Sequence, residues 1–236
     1  MSKVVLVTGA SRGLGASIAN LFLDNNYKVY INYNKSEKEA KELAKNYKNA
    51  KLIKCDISNE RNVIEMIKKI KEEAGKLDIV INNAGIAIDT DLETKTVENF
   101  QKILNTNLIG TFLICKYART IMEKGCIINI SSTNGIDTNY PYSMDYDASK
   151  AGVISLTHNF AEAYAPDIRV NCIAPGWINT DMNKELDKDF KLEEINKILL
   201  KRFANPKEIA EVVYFLASEK ASYINNTIIR VDGGVK

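Results

Sequence analysis

The segment Thr8-Gly9-Ala10-Ser11-Arg12-Gly13-Leu14-Gly15 restricts what this chain can become more than any other. Before it stands Val4-Val5-Leu6-Val7, a short β-branched run that reads as a buried parallel strand. After it, Ala16 to Leu23 carries apolar residues at helical spacing. Glycine in such a turn lets backbone approach a pyrophosphate, and the following helix N-terminus offers N–H donors and a positive dipole end. The spacing is Gly-x-x-x-Gly-x-Gly rather than the commoner dinucleotide fingerprint. A tight structural turn would account for the glycines alone. Strand, turn and helix together point to nucleotide binding by Gly9, Ser11, Arg12, Gly13, Leu14 and Gly15.

The alternation continues along the chain. Strands are expected at Lys28 to Tyr33, Lys51 to Cys55, Asp78 to Asn82, Cys126 to Ser131, Ile168 to Cys172 and Thr227 to Val231. Helices are expected over Ser36 to Tyr47 with Ser36 as cap, Glu60 to Ala74, about Val97 to Met122, about Ser143 to Tyr164, and Pro206 to Ala217. Pro206 suits a first helical turn. Such a pattern implies an α/β fold, a parallel sheet covered by helices on both faces with right-handed crossovers. The stretch from Trp177 to about Arg202 is polar and only loosely periodic, and reads as a lid-like insertion. With 236 residues and no composition break, one domain over 1–236 is expected.

Charge excludes several classes. The chain has 32 basic and 30 acidic side chains, a formal net charge of +2, which gives no electrostatic case for nucleic acid or an anionic membrane. Cys55, Cys115, Cys126 and Cys172 are scattered, without Cys-x-x-Cys spacing or a histidine cluster. Neither a metal site nor a disulfide framework is expected, and buried free thiols in a reducing cytoplasm fit better. The first strand begins by Lys3, which leaves no room for a signal peptide, and no apolar stretch reaches membrane-span length.

The second strand ends Asn32-Tyr33-Asn34-Lys35, with no carboxylate to bind adenosine ribose hydroxyls. Arg12 and Lys35, with Asn34 between strand and lysine, would instead favour a 2′-phosphate, hence NADPH over NADH. Further on, Tyr146 and Lys150 stand at i and i+4 of a helix, on one face. A phenol is a poor acid-base group near neutral pH, and a cation held close would favour the phenolate and lower its pKa. His158, the single histidine, lies twelve residues past Tyr146, about 18 Å along a straight helix, too far for a shared role. It is expected to be an ordinary packed or interface residue.

The turn, Asn82-Asn83-Ala84-Gly85, Asn107, Ser132, the Tyr146/Lys150 pair and Pro175-Gly176, in this order, resemble the short-chain dehydrogenase/reductase family over essentially the whole chain. The resemblance implies a Rossmann-like doubly wound sheet of seven strands. It implies Tyr146 as catalytic acid/base, with Lys150 binding the nicotinamide ribose and shifting the phenol. Ser132 would hold the substrate oxygen, being three residues before Gly135 as the family pattern has it, and Asn107 would support a proton-relay water. It further implies cofactor contacts at Asp56, Ile57, Asn83, Ala84, Gly85, Pro175, Gly176, Ile178 and Thr180, and a lid containing Trp177 and Met182. The serine-to-tyrosine interval is one residue longer than in many relatives, so Tyr140-Pro141-Tyr142 is expected to bulge toward the pocket.

Within the family the chain most resembles 3-oxoacyl-acyl-carrier-protein reductases, through Thr8 to Gly15, Ile127 to Ser132 and Arg202 to Ala217. That resemblance implies NADPH-dependent reduction of a 3-oxoacyl thioester, a role in fatty acid biosynthesis and a cytoplasmic homotetramer. The alternative is a free alcohol or ketone, such as a sugar, steroid or small diketone. Basic residues for docking an acidic acyl carrier protein are sparse: of Met122 to Gly125 and Ala165 to Asp167, Lys124 alone is cationic.

Overall fold

The computed structural model describes residues 2–180, 183 and 186–235. Seven parallel strands form one sheet in the order β3-β2-β1-β4-β5-β6-β7: β1 Val4–Val7, β2 Lys28–Tyr33, β3 Ala50–Lys54, β4 Ile79–Asn82, β5 Gly125–Ile130, β6 Ile168–Pro175 and β7 Ile228–Val231. The order reverses at β1, which pairs with β2 on one side and β4 on the other. Chain direction therefore opens a crevice beyond the carboxyl ends of β1 and β4, where ligands of doubly wound sheets bind.

Burial explains why these strands are continuous apolar runs. Val5 and Val7 face one core with Ile18, Phe22, Ile79, Ile81, Ile128 and Val213, and Leu6 faces the other with Ile70, Val80, Ile114 and Ile127. The first core is roofed by α1 (Gly13–Asp24), α2 (Glu37–Ala44) and α8 (Pro206–Ala217). The second is covered by α3 (Glu60–Ala74), α5 (Gly110–Ala118) and α6 (Met144–Tyr164), with α4 (Val97–Leu104) packed against α6. All four cysteines are buried free thiols.

Four expectations change. The helix expected over about Val97 to Met122 is interrupted by a π-turn at Asn105–Ile109, and it ends in a 3₁₀ turn, Arg119–Ile121. The extra residue of that turn turns Asn107 inward, where its amide grips the Ile86 backbone. β6 runs on to Pro175 because β7 pairs with it that far, Pro175 opposite Val231. The loosely periodic stretch contains a helix, α7 (Lys188–Lys197), capped by Asp187 accepting from the Asp189 and Phe190 N–H groups. The helix expected from Ser36 is shorter, Glu37–Ala44, and the Ser36 side chain makes no capping bond. At α8 the cap is complete: Asn205 and Glu208 form a capping box and Pro206 occupies the first turn.

Candidate active site

The turn from β1 to α1 is shaped by what surrounds it. Gly9 has φ +61°, and a Cβ there would lie 2.8 Å from Ala84 Cα. A Cβ on Gly15 would meet the Gly9 carbonyl at 2.3 Å and Asn83 Nδ2 at 2.5 Å. Both positions exclude every side chain, so the turn packs closely on itself and on the residues after β4. The turn is pinned from β4: Asn83 Nδ2 donates to the carbonyls of Thr8 (3.0 Å) and Gly9 (3.1 Å), and Thr8 Oγ1 accepts from the N–H groups of Asn83 and Ala84. Asn32 Oδ1 accepts from Gly9 N–H at 3.2 Å. Arg12, at the N-cap of α1, provides no side-chain capping bond, and the first turn holds no acidic residue. Its N–H donors and dipole end thus suit an anionic ligand.

Around this cradle stand the other expected contacts. Thr180 packs against Gly13, 3.7 Å from where its Cβ would be. Gly176 N–H donates to Val231, and Ile178 bridges to Ala204, so the segment after β6 is held in place beside the crevice. Arg12, Asn34 and Lys35 are exposed. Asp56 Oδ1 accepts from the Ser58 N–H and hydroxyl, which shapes the turn after β3, and Ile57 is buried against Gly110.

The chemistry-bearing side chains meet next to the cradle. Lys150, buried in α6, donates from Nζ to the Ile130 carbonyl at 2.9 Å, and its Nζ lies 5.4 Å from the Tyr146 ring centre. A Cβ on Gly85 would stand 3.4 Å from Asn107 Oδ1 and 3.5 Å from Lys150 Nζ, so Gly85 leaves the space between them. Asn107 is committed through its side chain: it accepts from Ile86 N–H and donates to the Ile86 carbonyl and Ser149 Oγ. Ser131 is turned away, donating to the Lys150 carbonyl at 2.8 Å. Ser132 is the serine next to Tyr146.

Electrostatics correct one expectation. Burial pushes the Tyr146 phenol up to about 12; a hydrogen bond with Ser132 pulls against this, while Asp147 and Asp89 push further up. Lys150 does not bring the phenol into the neutral range. Its own ammonium is brought down to about 8 by burial, partly offset by Cys172. Desolvation is the largest cause of both shifts, and neither group figures among the causes of the other's.

Sequence reasoning missed several residues. Lys95 and Asp145 form a buried ion pair at 2.9 Å, and Asp145 Oδ1 accepts from the Tyr146 N–H. Asp147, on the other side of Tyr146, accepts from Asn134 Nδ2 at 2.7 Å. Two acidic residues flanking the candidate acid were a signal in the sequence; their partners, distant along the chain, were not. Glu194 is buried in α7 and accepts from Tyr140 OH (2.5 Å), Trp177 Nε1 (2.9 Å) and Lys197. Burial opposes ionisation of Glu194, yet the Lys197, Tyr140 and Trp177 bonds together hold it below its usual range. Tyr140 thus joins Trp177 and Phe190 in an aromatic cluster, while Tyr142 is exposed. Met182 lies outside the described residues. His158 is exposed and paired with Asn226, not packed.

Comparison with known proteins adds three facts. A family model described as enoyl-(acyl carrier protein) reductase matches residues 9–236. A 3-oxoacyl-[acyl-carrier-protein] reductase FabG of Staphylococcus aureus is 38% identical, the alignment covering 100% of this chain and 98% of that protein. Proteins of the same name from Staphylococcus epidermidis (39%, covering 100% and 99%) and Chlamydia muridarum (37%, covering 100% and 98%) are similar over the same extent.

Proposed function

The chain belongs to the short-chain dehydrogenase/reductase family of oxidoreductases, and from that premise we propose that it reduces 3-oxoacyl thioesters with NADPH, as a 3-oxoacyl-acyl-carrier-protein reductase of fatty acid synthesis. The observation that carries the reading is the convergence of Ser132, Tyr146 and Lys150 beside a glycine cradle that no side chain can fill. The relatives' shared name supports the substrate.

Each residue then has a task. Gly9 to Gly15 hold the pyrophosphate against the start of α1, Arg12 and Lys35 neutralise the 2′-phosphate, and Asn34 and Asp56 with Ile57 border the adenosine. Asn83 to Gly85, Pro175, Gly176, Ile178 and Thr180 wall the nicotinamide half, and Lys150 holds its ribose. Bound NADPH supplies the hydride. Ser132 and Tyr146 donate hydrogen bonds to the carbonyl oxygen as charge grows there, and Tyr146 delivers the proton. With its pKa near 12 the phenol is fully protonated at neutral pH, the form a reductase needs. Asn107 holds the Ile86 segment in place and supports the water through which the phenol is reprotonated.

The 177–202 stretch acts as the lid, the chain as one domain, and four copies assemble through α4, α5 and α6; Val97 in α4 and Ile109 in the π-turn between α4 and α5 are exposed. We place the protein in the cytoplasm; among the described residues no helix is long and apolar enough to cross a membrane. Acyl carrier protein delivers the thioester, although Lys124 remains the one cation in the segments noted above. One observation favours another substrate, since the family model's description names an enoyl group, and the same catalytic residues would also serve a free alcohol or ketone. Steady-state NADPH oxidation with acetoacetyl-CoA, crotonyl-CoA and a panel of sugars, steroids and diketones ranks these. Silence on acetoacetyl-CoA with turnover of another substrate overturns the reading.

A further inference from the structure

We propose that Asn134 and Asp147 are positioning residues for the Ser132 hydroxyl: the Asp147 carboxylate fixes which way the Asn134 amide faces, and Asn134 fixes where Ser132 Oγ sits and where its proton points. The inference rests on the role given to Ser132 above and extends it to residues outside that role.

The argument is one of donors and acceptors. Asp147 Oδ1 lies 2.7 Å from the Asn134 side-chain nitrogen. A carboxylate accepts only, so the Asn134 NH₂ must face it, and the Asn134 oxygen must face the other way. That oxygen is 3.1 Å from Ser132 Oγ, which has the proton to give. Ser132 Oγ also accepts from the Asn134 backbone N–H at 3.2 Å. Two bonds from one residue therefore hold the hydroxyl at both ends. Asp147 is itself anchored, accepting from the Tyr140 N–H at 3.1 Å and from Ser143 Oγ at 3.2 Å. The chain Asp147–Asn134–Ser132 ends at Tyr146, whose phenol Ser132 contacts.

This arrangement has a catalytic consequence. A hydroxyl that accepts an N–H bond becomes a better donor. In the resting site its proton goes to a neutral amide oxygen. When a carbonyl oxygen gains negative charge, the same proton turns to it, exchanging a neutral bond for a charge-assisted one. The exchange is favourable mainly in the transition state, which is the condition for accelerating the chemical step. Asn134 thus holds the donor in place without competing once charge develops.

A structural role for the same bonds, tying the Ser132 turn to α6, predicts something different, and two measurements separate them. The first is a double-mutant cycle on NADPH-dependent reduction of acetoacetyl-CoA. Asn134→Ala in the wild-type background should lower kcat about tenfold, with KM for NADPH unchanged, as expected for a slightly misplaced catalytic donor. In a Ser132→Ala background the same change should cost less than about twofold, since no hydroxyl remains to position. An equal loss in both backgrounds overturns the proposal. The second is the crystal structure of the folded Asn134→Ala protein, which should show Ser132 Oγ in a different rotamer or in several. A single unmoved rotamer overturns the proposal whatever the kinetics. A wild-type enzyme silent on acetoacetyl-CoA would instead overturn the substrate reading, and the crystallographic arm would still decide the role of Asn134.

Discussion

The Lys150 ammonium donates to the main-chain carbonyl of Ile130, 2.9 Å away, at the end of β5. That bond turns the cation toward the carboxyl end of β5, where it is buried, and burial brings its pKa down to about 8. The charge is therefore nearly complete at pH 6 and half lost near pH 8. If the ammonium holds the cofactor ribose, kcat/KM for carbonyl reduction should be flat only to about pH 7, reach half its plateau near pH 8 and fall further above it. In Lys150→Arg, whose charge persists, the alkaline fall should disappear even though overall turnover is lower. A profile falling identically in both proteins would remove Lys150 as the titrating group. Stability moves the opposite way. The unfolded chain binds more protons than the native one between pH 8 and the ordinary lysine range, so this group's contribution to stability rises with pH across that window.

Tyr146→Phe keeps the ring and its packing and removes the one proton the mechanism delivers. Turnover should fall by a factor of about 10³ or more, at the upper end for a general acid that is also an oxyanion donor. NADPH affinity, measured by fluorescence quenching, should stay within about threefold. Normal turnover would transfer the role to another group.

The cradle predicts a graded series. Gly9→Ala must adopt φ near +61° and place its methyl 2.8 Å from Ala84 Cα, a backbone atom that cannot give way. It should lose NADPH binding and stability together. Gly75→Ala, also at positive φ (+77°) but with nothing within 4 Å, should lose only the conformational term, about 1 kcal/mol. Denaturant titrations showing equal costs would mean that the clash at Gly9 is relieved by movement.

Most of this architecture could be read from the chain because strands buried on both faces leave unmistakable β-branched runs, as Val4–Val7 and Ile79–Asn82 do. The tight turn at Gly9 to Gly15 and the shared helical face of Tyr146 and Lys150 could be read because both depend on neighbours within a few residues. What was not legible depends on contacts far along the chain. The π-turn at Asn107 answers to Ile86, the length of β6 to β7, and the burial of Glu194 to Tyr140, 54 residues away. α7 was missed because its apolar face packs in a local aromatic cluster with Trp177 and Phe203, not on the sheet, so its periodicity is weak. The direction of the Tyr146 shift was misjudged because spacing reveals a neighbouring charge but not desolvation.

Cofactor choice offers a test at the end of β2. Lys35 and Arg12 are exposed, and the residues after Tyr33, Asn34 and Lys35, carry no carboxylate. Lys35→Glu replaces a cation beside the expected 2′-phosphate with an anion that repels it. KM for NADPH should rise by roughly tenfold or more while KM for NADH changes little, a difference that shrinks at high salt. Equal effects on the two cofactors would mean that Lys35 touches neither phosphate.

The Lys95–Asp145 pair concerns stability and the helix that carries Tyr146 at once. Both side chains are almost fully buried, at 4% and 0% exposure, and Asp145 also receives the Tyr146 N–H. Lys95→Met leaves that carboxylate buried without its cation, a loss of about 3–5 kcal/mol for a pair broken on one side. Lys95→Met combined with Asp145→Asn removes the charge yet keeps a side-chain oxygen for the Tyr146 N–H. It should recover most of the loss, because a buried pair replaced as a unit costs little. Urea denaturation of the two proteins gives the comparison. If the double variant is as unstable as the single one, the destabilisation comes from lost packing of the lysine stem rather than from an orphaned charge.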